Sequence, residues 1–240
     1  MKRIACFLPP AAAIAALAPI AAAQSNIDNT VPNKHAWGES IGWTNWHDAN
    51  AGAQGVKVGP FVMQGFIWGE NIGFINVGDG TPANPPYYAN LNGTDFGVNI
   101  DADGDLHGFA WSENTGWINF DGGAMATPPI PARIVCGDVG GGIPARLTGY
   151  VWGENIGWIN LDRIEPIKFV SLSLAATPAA CDVNWDGDIN GLDVQPFVDA
   201  LLMMETGWAA HCAGDVEMVM DGVIDFDDLA PFVDCLIAQP

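Results

Sequence analysis

Aromatic and aliphatic residues lie on both sides of a short polar turn in four segments of the chain, and each segment carries the same motif. The motif is an apolar strand ending in Trp, a polar turn of the form Glu-Asn-x-Gly, and a second strand of the form Trp-Ile-Asn; its copies lie at 36–46, 67–77, 110–120 and 151–161. Short runs of aromatic and β-branched residues around a turn are typical of β-strands, and glycine and asparagine favour tight turns. Each copy therefore predicts a β-hairpin, and the four copies together predict a repeat architecture.

A further short strand is predicted before each of the last three hairpins, at 55–59, 97–101 and 132–136. Pro-rich segments separate the units. We expect an all-β domain over 24–174, with about ten or eleven short antiparallel strands between Asn33 and Leu174. A sandwich, a barrel, stacked meanders and a propeller-like arrangement all satisfy this pattern.

Large aromatic residues recur at fixed places in the motif: Trp37, Trp43, Trp68, Trp111, Trp117, Trp152 and Trp158. Because large aromatics at repeating positions usually pack together, we expect these rings to form the core of the β domain. The alternative is an exposed sugar-binding surface in which Asn76, Asn119 and Asn160 supply polar groups. The motif is similar to the Gly-Trp-Ile-Asn hairpin repeats of secreted bacterial proteins, a resemblance that implies no activity.

After a short Ala/Pro linker at 175–180, the hydrophobic period changes to that of a helix. Asp193 stands where a helix N-cap would, Pro196 falls in the first turn, and the apolar residues that follow share one face: Phe197, Val198, Leu201 and Leu202. The same design returns 35 positions later, from Asp228 through Phe232, Val233, Leu236 and Ile237. Residues 181–240 therefore predict a small all-α module whose two helices pack their apolar faces together.

An oxygen-rich loop precedes the first of these helices. Its ligand candidates are Asp182, Asn184, Asp186, Asp188 (through its carbonyl), Asn190 and Asp193, with Gly187 at the sixth place for the sharp turn. A hard cation such as Ca²⁺ takes six to eight oxygens, and a twelve-residue loop with this spacing supplies them. The sequence predicts one calcium ion in this loop.

This duplicated loop–helix design resembles the type I dockerin module. The loop closes with Asp193 in place of the glutamate of an EF-hand, and Pro178 interrupts the segment where an entering helix would lie. The resemblance implies a calcium-dependent module that docks its carrier onto a cohesin-like or other surface protein. The family places a Ser-Thr pair at the tenth and eleventh loop places to recognise its partner, where this chain has Gly191, Leu192, Phe226 and Asp227.

The second loop is less complete. At the constant offset its candidate ligands are Glu217, Asp221, Val223 (through its carbonyl), Asp225 and Asp228, and the third place is the apolar Val219. In the alternative alignment, Asp215 to Glu217 match Asp182 to Asn184 and two residues bulge out. Either alignment loses or displaces a ligand, so the occupancy of a second calcium ion is left open.

Residues 1–23 have a basic start, an apolar run and a small-residue cleavage site, which predicts a secretory signal peptide. We therefore expect a secreted or cell-surface protein without a membrane span. Six of the eight basic side chains and all 28 acidic ones lie after this segment, a net charge of −22. Residues 181–240 contain 13 acidic residues and no Lys or Arg. Nucleic acid is not an expected partner, because binding phosphates needs basic patches.

Four cysteines remain after the predicted cleavage site: Cys136, Cys181, Cys212 and Cys235. An even number of cysteines in an exported chain predicts disulfides, and three pairings are compatible with the sequence. Because three of the four lie in 181–240, we expect at least one bridge within the helical module.

The sequence contains no nucleophile, P-loop or dinucleotide motif, and its four histidines are isolated. The turn glutamates Glu39, Glu70, Glu113 and Glu154 recur in one local setting, whereas a glycosidase needs two differently placed carboxylates. We therefore expect no catalytic residues. The expected function is a non-catalytic binding or scaffolding protein, in a polysaccharide-degrading or cell-surface assembly. The alternatives are a carbohydrate-binding module with a dockerin tail and a glycoside hydrolase or its accessory subunit.

Overall fold

The computed structural model describes residues 24–164, 167–204, 206–216 and 223–238, so the predicted signal peptide lies outside the described residues. The strands are β1 (His35–Gly38), β2 (Gly42–Asn45), β3 (Lys57–Val58), β4 (Met63–Gly69), β5 (Gly73–Asp79), β6 (Val98–Ile100), β7 (Leu106–Ser112), β8 (Gly116–Asn119), β9 (Arg133–Val135), β10 (Arg146–Thr148), β11 (Tyr150–Gly153), β12 (Gly157–Asn160), β13 (Asp162–Ile164) and β14 (Ile167–Ser171). A 3₁₀ turn, Leu174–Ala176, precedes the helices α1 (Val194–Leu201), α2 (Trp208–Gly214) and α3 (Leu229–Ile237).

The four motif copies form the hairpins β1–β2, β4–β5, β7–β8 and β11–β12, as predicted. Neighbouring hairpins pair with each other, and β12 pairs with β1, so the eight strands close into an antiparallel barrel. Closure leaves none of these eight strands as an exposed edge. Of the predicted arrangements, the chain adopts the barrel.

Glycine makes the hairpin turns, as the motif predicts. Gly42, Gly73, Gly116 and Gly157 all lie in the left-handed region, with φ between 74° and 82°. The turn asparagines have a different task, which is to connect neighbouring turns. Each donates a hydrogen bond of 3.0 Å to a carbonyl of the preceding turn, from Asn71 to Ile41, from Asn114 to Ile72 and from Asn155 to Thr115.

Small and β-branched residues fill the barrel. A side chain at Gly38 would lie 2.6 Å from Ile41, and Gly69 and Gly153 are equally close to the isoleucines of their own turns. In the third hairpin, Ser112 takes the place of this glycine and Thr115 takes the place of this isoleucine, and both are buried. The larger residue at the glycine position is thus matched by a smaller residue at the isoleucine position. Close packing therefore determines both positions, because the lumen of an eight-stranded barrel has room only for side chains of limited size.

The motif aromatics lie on the outside of the barrel, and our expectation that they form its core is wrong. Trp68, Phe74, Trp117, Trp152 and Trp158 are between 38% and 45% exposed. Within each hairpin the two rings are cross-strand neighbours that pack edge to face, with centroids 4.7–4.8 Å apart. Because strand residues alternate between two faces, turning the isoleucines inward turns these rings outward.

The predicted extra strands are present as β3, β6 and β9. The structure also has three strands that were not predicted, β10, β13 and β14, and these join β9 in a second, four-stranded sheet. The pattern missed them because each is short and partly polar. Arg163 of β13 and Lys168 of β14 are direct cross-strand neighbours.

The helical segment has three short helices, and α2 was not predicted. Phe197 of α1 and Phe232 of α3 stack at 4.0 Å with an interplanar angle of 2°, which joins the two predicted helices. The predicted apolar faces are only partly buried: Leu202, Val233 and Ile237 are 64%, 44% and 73% exposed. In a segment this small, the core holds few side chains.

The helical segment is connected to the barrel by a tryptophan and a disulfide. Trp208 of α2 is buried, donates from Nε1 to the carbonyl of Gly59 over 2.9 Å, and packs edge to face on Trp185. Cys136, which follows β9, bonds to Cys212 of α2. The second disulfide, Cys181–Cys235, lies inside the helical segment and confirms the bridge expected there.

Candidate metal loop and binding surfaces

The first oxygen-rich loop is wound around its own carboxylates. Asp182 is buried and accepts hydrogen bonds from the backbone amides of Asp186 (3.1 Å) and Gly187 (3.0 Å). Gly187 has φ +95°, which makes the sharp turn that the sequence predicts at this place. Asn184 accepts from the amide of Asp186 at 2.9 Å. The side-chain oxygens of the first half of the loop therefore point into the loop.

The closing residue Asp193 also points into the loop. Its carboxylate is fully buried and accepts from the amides of Asn184 (3.0 Å) and Asn190 (2.8 Å). Asp193 is the N-cap residue of α1, as predicted, and its carbonyl accepts from the amide of Phe197, but its side chain makes no capping hydrogen bond to the helix. The two buried carboxylates, Asp182 and Asp193, thus belong to the loop and not to the helix.

Among the described residues, neither of these carboxylates forms an ion pair, and residues 181–240 lack Lys and Arg. Burial raises the pKa of Asp182, and the nearby charges of Asp193 and Asp186 raise it further. Among the described residues, no group of three or more His, Cys, Asp or Glu side chains is placed to hold a metal ion. The oxygens of this loop come partly from asparagines and carbonyls, which suit a hard cation such as calcium.

The described part of the second loop repeats the closing half of the first. Asp228 is buried and accepts from the amide of Asp225 (2.9 Å), as Asp193 does from Asn190 in the first loop. Its second donor is the amide of Val216 (2.7 Å), twelve residues earlier, whereas the second donor to Asp193 is Asn184, nine residues earlier. Glu217 and Asp221, two of its predicted ligands, lie outside the described residues. Val223 is described and exposed.

The tenth and eleventh loop places present apolar side chains to solvent. Leu192 is 66% exposed and Phe226 is 78% exposed. Side-chain oxygens of Asn190 and Asp225 accept from the amides of Leu192 and Asp227, at 2.8 and 2.7 Å, so the two sites have matching backbones. The helical segment has further exposed apolar residues: Val194, Leu202, Met203, Met204, Val223, Leu229, Val233 and Ile237.

On the barrel, the polar motif residues are engaged in backbone contacts. The oxygens of Asn45, Asn76, Asn119 and Asn160 each accept from the amide two residues later, at 2.8–3.0 Å. The turn glutamates Glu39, Glu70, Glu113 and Glu154 are all exposed. Asn45, Asn119 and Asn160 end their strands, whereas Asn76 lies inside β5. An Asn side chain that accepts locally is less free to bind a sugar.

One charged cluster was missed, because His107 was considered isolated. Its Nδ1 lies 2.7 Å from Asp121 and its Nε2 lies 2.9 Å from Asp101. These two hydrogen bonds, to Asp101 first and then Asp121, raise the pKa of His107 to about 10. Arg133 bonds Asp105 of the same turn at 3.0 Å. The acidic spacing of 101–105 was the available signal, and its basic partners come from other strands.

Two disulfides are typical of a protein exposed to an oxidising compartment. In the part of the chain that the structure describes, no helix has the length and apolar character needed to cross a membrane. No protein-family model, curated protein or solved structure matches this chain.

Proposed function

We propose that this chain is an exported, non-catalytic binding protein whose helical module binds Ca²⁺ and docks the barrel onto a partner protein. The observation that carries the proposal is the exposure of Leu192, at the eleventh place of the first loop, and of Phe226, at the tenth place of the second. Large exposed apolar side chains on a small module are typical of an interaction site. The type I dockerin resemblance gives these places the same role, with apolar side chains in place of the Ser-Thr pair.

Calcium would be held in the first loop by the oxygens of Asp182, Asn184, Asp186 and Asn190, the carbonyl of Asp188, and Asp193. Two of these carboxylates are buried and form no ion pair in the part of the chain that the structure describes, and a bound divalent cation would offset their charge. Because Asp193 leads directly into α1, an ion held there would fix the start of this helix and the position of Leu192.

The partner surface should be largely apolar and tolerant of a negative neighbour, since Asp227 lies beside Phe226. A cohesin-like domain is the partner class that the resemblance implies. The change from Ser-Thr to Gly-Leu and Phe-Asp predicts a partner whose recognised residues are apolar rather than hydrogen-bonding.

Binding can be measured with the immobilised full chain against purified cohesin domains and a secreted protein fraction. We expect one protein to be captured in millimolar calcium and released by a chelator. Phe226→Asp and Leu192→Asp should each weaken capture by about tenfold or more, as for apolar hot spots. Leu91→Asp is the matched control, because Leu91 is 87% exposed on a barrel loop.

Capture that survives both the chelator and the two module variants would contradict the proposal. If the protein self-associates on a sizing column in calcium, and Phe226→Asp abolishes this self-association, the partner is a second copy of this chain. Release of reducing sugar by the purified protein would contradict its non-catalytic character.

A further inference from the structure

Each motif hairpin presents a pair of aromatic rings on the barrel surface, and the first pair is covered by the chain itself. The guanidinium of Arg163 lies 4.9 Å from the ring centroid of Trp37, and the ammonium of Lys168 lies 4.2 Å from that of Trp43. Both distances are within the range of a cation–π interaction. Two of the few basic side chains in this acidic protein are thus placed on one aromatic pair.

The second and third hairpins leave an equivalent surface uncovered. A cleft of about 380 Å³ lies between them, lined by Phe66, Phe74, Asn76, Trp111, Glu113 and Asn114; we refer to it as the aromatic cleft. Phe74 is 45% exposed and Glu113 is exposed, and no basic residue lines the cleft. The aromatic cleft therefore combines aromatic faces with a carboxylate whose charge no lining residue offsets.

We infer that the aromatic cleft binds a positively charged side chain, lysine or arginine, from a partner protein. The covered pair at Trp37 and Trp43 shows what these rings accept in this molecule. Glu113 adds the opposite charge that an ammonium or guanidinium needs, and the net charge of the whole chain, −20, favours a basic partner.

The ring geometry of the aromatic cleft disfavours a neutral sugar, which exposed aromatic rings could otherwise bind. In the cleft, the rings of Phe66 and Phe74 meet at 74° with centroids 5.8 Å apart, so they form a notch rather than a flat platform. Asn76 accepts from the amide of Gly78 and Asn114 donates to Ile72, so both amides of the cleft are already used in part. A compact cation fits a notch with one carboxylate better than a flat pyranose does.

The test uses the full chain in calcium, with Nα-acetyl-lysine amide and Nα-acetyl-arginine amide as probes. Indole N–H resonances are followed by NMR, with Nα-acetyl-glutamine amide as the neutral probe and cellotetraose as the sugar. We expect the Trp111 indole to shift with the two cationic probes only, and added salt to weaken the effect. The binding surface does not involve the helical module, so chelation should leave it unchanged.

Two variants locate the site. Phe74→Ala should weaken binding of the cationic probes by about two- to fivefold, as expected for an exposed cation–π contact. Glu113→Gln keeps the shape but removes the charge, and should weaken binding by up to about fivefold. Glu39→Gln is the matched control, because Glu39 occupies the same turn place beside the covered pair and should change nothing. Thermal unfolding establishes that each variant is folded.

Equal shifts with the glutamine probe, or an unchanged affinity in Glu113→Gln, would overturn the inference. Shifts with cellotetraose that ignore Glu113→Gln would assign the cleft to a neutral sugar instead. Absence of any Trp111 shift with all four probes would show that the cleft binds none of them, and the inference would be wrong.

Discussion

Two acidic loops of this molecule have similar sequences and opposite surroundings. The turn at 101–105 has three aspartates in five residues, and the loop at 182–193 has four in twelve. In the turn, Arg133 and His107 approach the aspartates at 3.0 and 2.9 Å. In the loop, the buried carboxylates accept from backbone amides, and its segment, 181–240, contains no Lys or Arg.

This difference explains how each region balances its charge. In the barrel, neighbouring strands supply positive side chains, so the turn is complete with protein groups alone. In the helical segment, two buried carboxylates have only amide donors, which offset a negative charge incompletely. The comparison indicates that the turn at 101–105 needs no ion, whereas the loop at 182–193 is suited to an external cation.

The largest expected effect is on the calcium response of the helical segment. Asp186→Ala in the full chain should remove most of the stabilisation by calcium, about 2.7 kcal/mol when calcium is 100 times its dissociation constant. Sites of 10⁻⁴–10⁻³ M affinity would show less at the same calcium concentration. Calorimetry and circular dichroism with and without chelator measure it.

Asp103→Ala is the control in the other loop and should leave the calcium response intact, because Asp103 belongs to the internally balanced turn. Asp221→Ala should matter less than Asp186→Ala, since the second loop lacks a ligand in the sequence. Equal losses for the two loop variants would contradict this order. A helical signal that ignores the chelator would contradict the calcium coupling.

A lysine introduced into the loop at 182–193 should balance the charge of its aspartates, as Arg133 and His107 do in the turn at 101–105. Asn184→Lys should stabilise the chelated protein by about 0.5–1 kcal/mol and reduce the further gain on adding calcium. Chemical denaturation at low salt measures both quantities. Gln195→Lys, which adds the same charge on α1, is the control; an equal gain there would mean that net charge alone is responsible.

Removing the internal cation from the turn should destabilise the barrel by about 1 kcal/mol. Arg133→Gln loses the ion pair to Asp105 and the hydrogen bond to the carbonyl of Asp103. The loss should be the same in calcium and in chelator, as measured by the unfolding midpoint. Lys57→Gln, which removes the charge of an exposed lysine, is the control and should not change the unfolding midpoint. If the loss of stability in Arg133→Gln depends on calcium, the proposed difference between the two loops is wrong.

The smallest effect is a pH dependence from His107. Its pKa is raised to about 10 by hydrogen bonds to Asp101 and Asp121, from 6.5 in the unfolded chain. The folded state thus binds a proton more tightly, so this stabilisation is complete below pH 6.5 and disappears as the pH rises through about 10. Because His107 is 43% exposed, the amount should be on the order of 1 kcal/mol or less.

His107→Gln should flatten the fall in stability over this pH range, as followed by denaturant titrations at several pH values. His47→Gln tests whether the effect is specific, since the His47 side chain hydrogen-bonds the neighbouring Asp48 and lies outside the cluster of His107. If the free energy of unfolding decreases with pH by the same amount in His107→Gln and in the unmodified protein, His107 is not the cause of the pH dependence.

The hairpins and the loop pattern could be predicted because their causes are local. Gly42 and its three equivalents adopt positive φ within a turn of a few residues, and the oxygens of the first loop follow from spacing alone. The strands β13 and β14 could not be predicted, because they are stabilised by pairing with β10 and by covering Trp37 and Trp43. The helix α2 depends likewise on Trp208 entering the barrel core.

The sequence by itself determined that Trp and Ile alternate along each hairpin and that residues 181–240 contain no positive charge. Only the tertiary structure decided which of the two alternating faces points inward. Both faces are apolar, so periodicity cannot distinguish them. Closure into an eight-stranded barrel does, because its lumen accepts Ile41 against Gly38 and has no room for the larger Trp37 ring. The same closure places four pairs of aromatic rings on the outside of the barrel, and the chain itself covers the first pair with Arg163 and Lys168.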